Sequence, residues 1–93
     1  MTAKEIRRYM GLVADLGCAL CWRKGWGATP AQLHHPRRGT GMGQRASNMD
    51  VIPLCWEHHQ GATGIHGLGT KGFEKEHGIS EADLLLDTRA RLI

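Results

Sequence analysis

Large aromatic side chains and long apolar runs are scarce in this chain. Its 93 residues include three tryptophans, one tyrosine and one phenylalanine. No run approaches the ~18 apolar residues of a membrane-spanning helix, so we expect no membrane partner. A chain this short, with so few aromatics, buries a modest core, and a bound metal ion could add stability that packing does not provide.

Features of secreted and multidomain proteins are also missing. The first ten residues, MTAKEIRRYM, contain no apolar stretch of the kind found in signal peptides. We therefore expect a cytoplasmic protein whose three cysteines are reduced. No internal repeat, linker or low-complexity tract interrupts the sequence, which predicts one domain over residues 1–93.

Capping signals and apolar spacing predict several short helices and two short strands. Thr2 and Glu5 form a capping box, Gly78 is typical of a helix end, and Ser80 can cap the last helix. Between the first helix and the first strand, a tight turn is expected at Cys18–Cys21. Helices are expected over residues 3–16, from about 53 to 60, over 70–77 and from 81 onward, extended segments over 31–35 and 51–54, and a glycine-rich loop over 37–48. These elements indicate an α+β protein.

The strongest chemical signal is a set of two residue pairs, Cys18-x-x-Cys21 and Cys55-x-x-His58. Two intervening residues allow a turn to present both side chains of a pair to one tetrahedral Zn²⁺. We call these four residues the cysteine site. Two alternatives are small buried cysteines without a metal and a redox pair, although no thioredoxin-like alternation of strands and helices surrounds the cysteines.

Five of the six histidines lie between residues 18 and 66, and four of them remain once His58 is assigned to the cysteine site: His34, His35, His59 and His66. This is more histidine than a structural zinc can use. Two imidazoles can hold a divalent cation whose other positions take water and substrate, as hydrolysis of a phosphodiester requires. A further histidine, with a free imidazole pKa near ~6.5, could accept a proton from water. Helix capping or a satisfied hydrogen-bond network is the alternative for His66 and, still more, for His77.

Positive charge is concentrated in the first half of the sequence. Residues 23–45 contain no acid and five cations: Arg23, Lys24, Arg37, Arg38 and Arg45. We call the last three of these the loop arginines. With Lys71 they are candidate phosphate contacts on DNA, although a solvated basic surface explains the pattern equally well. Nothing resembles a helix that reads bases in the major groove, so no sequence preference is predicted.

Longer stretches of the chain resemble a known family. The order Cys-x-x-Cys, His-His, an acid or amide before Pro-Leu-Cys, then x-x-His-His resembles the HNH nucleases. The segments that resemble more specifically the Ref-like, RecA-dependent nucleases of phages are Ala31–His35, Gly41–Ser47, Asp50–Cys55, His58–His59 and Gly64–Gly67. The resemblance implies a ββα-metal core, a phage or prophage origin, and a DNA endonuclease or nickase that acts in recombination with RecA filaments.

The resemblance also implies roles for individual residues. The cysteine site would hold a structural zinc, and His34 and His59 would hold a catalytic Mg²⁺, Mn²⁺ or Zn²⁺. His66 would complete that second site or contact phosphate, and His35 would be the general base. Asp50 stands where many HNH proteins have asparagine; it could brace the strand loop through backbone N–H groups or orient an imidazole. The alternative function is a zinc-stabilised module that binds DNA or RecA filaments without cutting.

Overall fold

The computed structural model of the chain describes residues 2–36 and 50–92. Its elements in chain order are helices α1 (Ala3–Asp15) and α2 (Ala19–Arg23), strands β1 (Gln32–His34) and β2 (Ile52–Leu54), and helices α3 (Trp56–His59), α4 (Ile65–His77) and α5 (Glu81–Arg91). The predicted α+β class is confirmed. The glycine-rich loop and the loop arginines lie outside the described residues.

The two strands form an antiparallel pair in which His34 faces Ile52. Helix α5 packs on β2, and α2 packs on both of them. The buried core lies between these elements, and it includes the three cysteines together with Leu20, Phe73 and Leu84. Potential metal ligands are thus built into the core instead of lying on a surface.

Local signals placed the helix ends well. The side chain of Thr2 accepts a hydrogen bond from the Glu5 backbone N–H, and that of Ser80 accepts one from Asp83. Gly78 ends α4 in the left-handed conformation, with φ of 70°. These predictions are confirmed because a cap depends on neighbours three or four residues away and not on the rest of the fold.

Three expectations about secondary structure were wrong. A helix was expected from about residue 53, but α3 begins at Trp56, after the end of β2. Cys18–Cys21 was expected in a tight turn, but Cys18 caps the short helix α2, in which Cys21 lies. Helix α4 was expected to begin after Thr70, but it already begins at Ile65 and is interrupted at Gly69, whose φ and ψ are 77° and 165°. A glycine-rich sequence concealed this first helical turn because glycine is a poor helix former in isolation.

Within the described ranges, none of the helices has the length and apolar character needed to cross a membrane.

Candidate metal centres

The cysteine site is assembled from the starts of two short helices. Cys18 and Cys55 are the N-cap residues of α2 and α3, and Cys21 and His58 lie one turn further along each helix. The Cys18 Sγ also accepts a hydrogen bond from the Cys21 backbone N–H, at 3.4 Å. All four side chains are buried and could hold a metal ion such as zinc. The spacing in sequence therefore predicted a real cluster in space.

Distances within the cysteine site match tetrahedral zinc. His58 Nδ1 lies 3.3 Å from Cys55 Sγ and 3.6 Å from the Sγ atoms of Cys18 and Cys21. Zinc bonds of about 2.3 Å to sulfur and about 2.0–2.1 Å to nitrogen put S and N about 3.6 Å apart in a tetrahedron, and two sulfurs about 3.8 Å apart. Cys21 Sγ and Cys55 Sγ are 3.9 Å apart, far beyond a disulfide bond. The donor set thus fits one zinc ion.

Burial favours the neutral forms of two side chains of the cysteine site, Cys18 and His58, in the absence of a metal ion. Burial raises the pKa of the Cys18 thiol from 9.0 to about 12. Burial also lowers the pKa of His58, and the neighbouring His77 lowers it further. His58 is thus a neutral ligand at neutral pH, whereas the Cys18 thiol needs a cation nearby to become a thiolate. On its other side, the His58 ring stacks on Trp26, with ring centroids 6.1 Å apart.

A second cluster consists of three histidines from three elements. His34 lies at the end of β1, His59 at the end of α3 and His66 in the first turn of α4. We call these residues the histidine site. One ring nitrogen from each lies within 4.8 Å of the others, and the ring centroids are 4.7–5.3 Å apart. Three imidazoles could therefore share one metal ion.

The position of His66 depends on close backbone packing between α3 and α4. A Cβ atom at Gly64 would lie 2.5 Å from the Glu57 carbonyl oxygen, so a larger residue could not occupy this position without displacing backbone. The Glu57 side chain also accepts hydrogen bonds from the Thr63 backbone N–H and hydroxyl, at 3.0 and 2.7 Å. These bonds lower the pKa of the exposed Glu57 carboxyl group. The first turn of α4 is thereby held beside His59.

Hydrogen bonds orient two of these rings. His59 Nδ1 lies 2.8 Å from Gln32 Oε1, so Nδ1 donates and His59 Nε2 keeps its lone pair. That Nε2 lies 3.1 Å from His66 Nε2, close to the roughly 3.3 Å between two imidazole nitrogens on tetrahedral zinc. Burial lowers the pKa of His59, and His34 and His66 lower it further. Neutral imidazoles are the form that binds metal.

A buried acid completes the surroundings of the histidine site. Glu81, the first residue of α5, places Oε2 2.6 Å from His34 Nε2, and both side chains are at most 5% exposed. No signal in the sequence marks this pair, because an acid after a serine cap is typical of any helix start. Gln32 was also missed, because nothing in the sequence indicates which residue a polar side chain in a short strand will contact.

Other predicted residues lie in different surroundings. His35 is half-buried, one residue beyond the end of β1, and Lys71 is exposed on α4. Asp50, for which the sequence predicted contacts with backbone N–H groups or with an imidazole, places its carboxylate against the guanidinium of Arg89. This partner follows from the packing of α5 against β2, which begins two residues after Asp50. His77 donates a hydrogen bond to the Thr63 carbonyl oxygen at 2.7 Å.

The fold and the two clusters define a small α+β protein with two sets of side chains, each able to hold a metal ion. The family model described as "Recombination enhancement, RecA-dependent nuclease" matches residues 1–88. The chain belongs to this family, which confirms the resemblance to RecA-dependent nucleases. The name of this family describes a nuclease, and therefore an enzyme, that is linked to RecA-dependent recombination. No curated protein sequence matches the chain.

Proposed function

We propose that the protein is a metal-dependent DNA endonuclease or nickase of HNH type, whose catalytic centre is the histidine site. The observation that carries this proposal is the convergence of one nitrogen each from His34, His59 and His66 within 4.8 Å. Membership of a nuclease family supports the reaction class. Two antiparallel strands followed by α3, in this order, support a ββα-metal core, and we propose one such domain over residues 1–93.

The two clusters are proposed to have different tasks. The cysteine site offers four buried protein donors, which fill a tetrahedral zinc and leave no position for substrate, so we assign it a structural role. The histidine site offers three donors, and His66 is exposed. An ion with three protein ligands keeps open positions, as catalysis requires.

In the proposed reaction, His34, His59 and His66 hold a divalent cation beside the scissile phosphate. When bound, Mg²⁺, Mn²⁺ or Zn²⁺ neutralises the charge that develops on the phosphate and on the leaving 3′ oxygen. His35 accepts a proton from the attacking water, whose oxygen forms the new bond to phosphorus while the bond to the 3′ oxygen breaks. The position of His35 directly after β1 supports this assignment, because a strand end frees two neighbouring side chains from strict alternation.

DNA and the RecA filament are the proposed partners. The family name supports RecA, and the net charge of +3 suits a polyanion. The loop arginines are proposed phosphate contacts, and the exposure of Lys71 supports the same role for it. Asp50, given its pairing with Arg89, is proposed to fix the start of β2 and thereby the strand pair.

The experiment is plasmid nicking in Mg²⁺ or Mn²⁺, with and without RecA filaments on homologous single strands. Wild-type protein should cut, and His59→Ala should not. Leu86→Ala, at a position on α5 that is 63% exposed, is the matched control and should cut like wild type. A wild type that binds DNA but never cuts under any of these conditions would refute the proposal in favour of a zinc-stabilised binding module.

A further inference from the structure

Glu81 is a buried acid that the proposed reaction does not use. It is 2% exposed, although acids at the start of a helix usually face solvent. One carboxylate oxygen contacts His34, and the other, Oε1, is buried without a hydrogen-bond partner in the described part of the chain. A carboxylate in such surroundings is costly unless positive charge compensates it. A bound cation, or the His34 ring itself when protonated, would supply that charge.

The contact with Glu81 also decides which nitrogen of His34 can bind an ion. A carboxylate oxygen accepts hydrogen bonds, so His34 Nε2, at 2.6 Å, is the nitrogen that carries hydrogen. A neutral imidazole has one N–H, which leaves the lone pair on Nδ1. The pairing of a metal-binding histidine with a carboxylate is a common way to fix ring orientation and increase basicity.

One cavity joins the acid to the histidine site. It has a volume of about 190 Å³, and its lining includes Glu81, His34 and His66 together with Thr70. The acid therefore lies beside the ring of one proposed ligand and in the same cavity as another. The carboxylate oxygens of Glu81 do not belong to the set of ligand atoms that lie within 4.8 Å of one another. Glu81 is therefore better placed to act through His34 than to bind the ion directly.

We propose that Glu81 is a positioning residue of the histidine site. Its carboxylate holds the hydrogen of His34 on Nε2, keeps Nδ1 available to a divalent cation and offsets part of the charge of that cation. The inference rests on the proposed function, since it assumes that the histidine site holds an ion.

Glu81→Gln is the variant that tests this role with little change in shape. A glutamine that donates its N–H to His34 leaves its oxygen in the unpartnered position, whereas the reverse orientation buries an N–H without an acceptor. Unpartnered buried N–H groups are the rarer of the two in proteins. Glutamine should therefore move the imidazole hydrogen to Nδ1, which then cannot bind metal. Asp83→Asn is the matched control, because it removes an exposed acid from the same helical turn.

Two measurements on the full chain with its zinc retained need no DNA. Long-range ¹H–¹⁵N spectra of ¹⁵N-labelled protein without added Mn²⁺ should show hydrogen on Nε2 of His34 in wild type and Asp83→Asn, and on Nδ1 in Glu81→Gln. Titration with Mn²⁺, followed by the electron paramagnetic resonance of the free ion, should show binding weakened ~10- to 100-fold in Glu81→Gln, the usual effect of losing such a partner. Asp83→Asn should bind like wild type.

An unchanged His34 tautomer, or wild-type Mn²⁺ affinity in Glu81→Gln, would overturn the inference, as would a wild type that binds no Mn²⁺ at this site. If Glu81→Gln does not fold, Glu81→Asp takes its place: the shorter acid withdraws from His34 and should weaken Mn²⁺ binding in the same direction. If the wild type cuts DNA and the Glu81 variant binds Mn²⁺ with normal affinity, only the proposed role of Glu81 is refuted. Failure of the wild type to cut DNA would refute the proposed function and leave both measurements interpretable.

Discussion

Replacing Cys21 by serine should remove zinc from the cysteine site, to which we assign a structural ion, and unfold most of the protein. Cys21 contributes one of the four buried donors, and it belongs to the hydrophobic core through α2. Serine is a poor zinc ligand, because zinc prefers thiolate sulfur and imidazole nitrogen in structural sites. The variant would therefore lose the ion, not merely hold it less well.

The size of the effect follows from comparing two free energies. At ~0.05–0.15 kcal/mol per residue, a chain of this length has an unfolding free energy of about 5–14 kcal/mol. Structural zinc contributes about 10–16 kcal/mol of apparent binding energy at neutral pH. A zinc ion at the cysteine site would thus contribute as much as the whole net stability. Without it, Cys18 remains a buried thiol, because its pKa of about 12 prevents ionisation near neutral pH.

Elemental analysis and thermal unfolding by circular dichroism measure the two consequences. We expect about one zinc per wild-type chain after dialysis, none in Cys21→Ser, and no cooperative unfolding in the variant. Lys24→Ser, at an exposed position near the end of α2, is the control and should match wild type in both assays. A zinc-free Cys21→Ser protein that unfolds cooperatively at the wild-type temperature would refute the structural role of the cysteine site.

Three further predictions concern catalysis and binding. His34→Ala should weaken binding of the proposed catalytic ion, and excess divalent metal should partly restore cutting. His35→Ala should keep metal and DNA binding but cut DNA ~100-fold more slowly. Plasmid nicking and Mn²⁺ titration check both variants, and normal cutting by His35→Ala would mean that another residue is the general base. Because the pKa of His59 is lowered by burial and its histidine neighbours, the imidazole stays neutral at pH 7, and Mn²⁺ binding should weaken as pH falls through that lowered pKa. Mn²⁺ binding that already weakens at a pH above ~6.5, the ordinary pKa of histidine, would contradict the lowered pKa of His59. Alanine at all three loop arginines should weaken binding to unrelated DNA duplexes to the same extent. The slope of log binding constant against log salt concentration should become shallower by up to ~0.9 for each DNA phosphate that an arginine no longer neutralises. An unchanged slope would mean that these arginines serve solubility and do not contact DNA.

The cysteine site could be predicted from sequence because its information is local. Each pair spans one helical turn, so the spacing of Cys18 and Cys21, or of Cys55 and His58, fixes how two donors face one point. The remaining step, bringing two pairs together, follows from the preference of a single ion for four ligands. Helix caps were predictable for the same reason.

The surroundings of the histidine site could not be predicted, since they depend on contacts between distant segments. Glu81 is 47 residues from His34, and Gln32 is 27 from His59. Each residue is common in its local setting: Glu81 is an acid in the first turn of a helix, and Gln32 is a polar residue in a strand. Only the packing of α5 against β2 buries Glu81 against an imidazole, and no periodicity in the sequence encodes that contact. The turn that carries His66 escaped prediction because its glycines serve close packing and not helix propensity.

The two sites share α3, a helix of four residues that supplies His58 to one site and His59 to the other. So short a helix is not stable alone, because helix nucleation is unfavourable. Zinc bound by Cys55 and His58 would hold both ends of α3 and so fix the ring of His59. Since loss of zinc should also unfold most of the protein, we expect its removal by a chelator to abolish Mn²⁺ binding at the histidine site, although none of the ligands of that site is removed.

This coupling is measured by titrating Mn²⁺ into wild-type protein before and after zinc removal, and again after zinc is restored. Restored zinc should recover the original affinity, which separates coupling from irreversible damage. His59 Nδ1 should also lose its protection against hydrogen exchange in the zinc-free state, because Gln32 would no longer face a fixed ring. Equal Mn²⁺ affinity with and without zinc would mean that packing against Gly64 and the Glu57–Thr63 bonds suffices to hold α3. A zinc ion at the cysteine site would then not be required for the geometry of the histidine site.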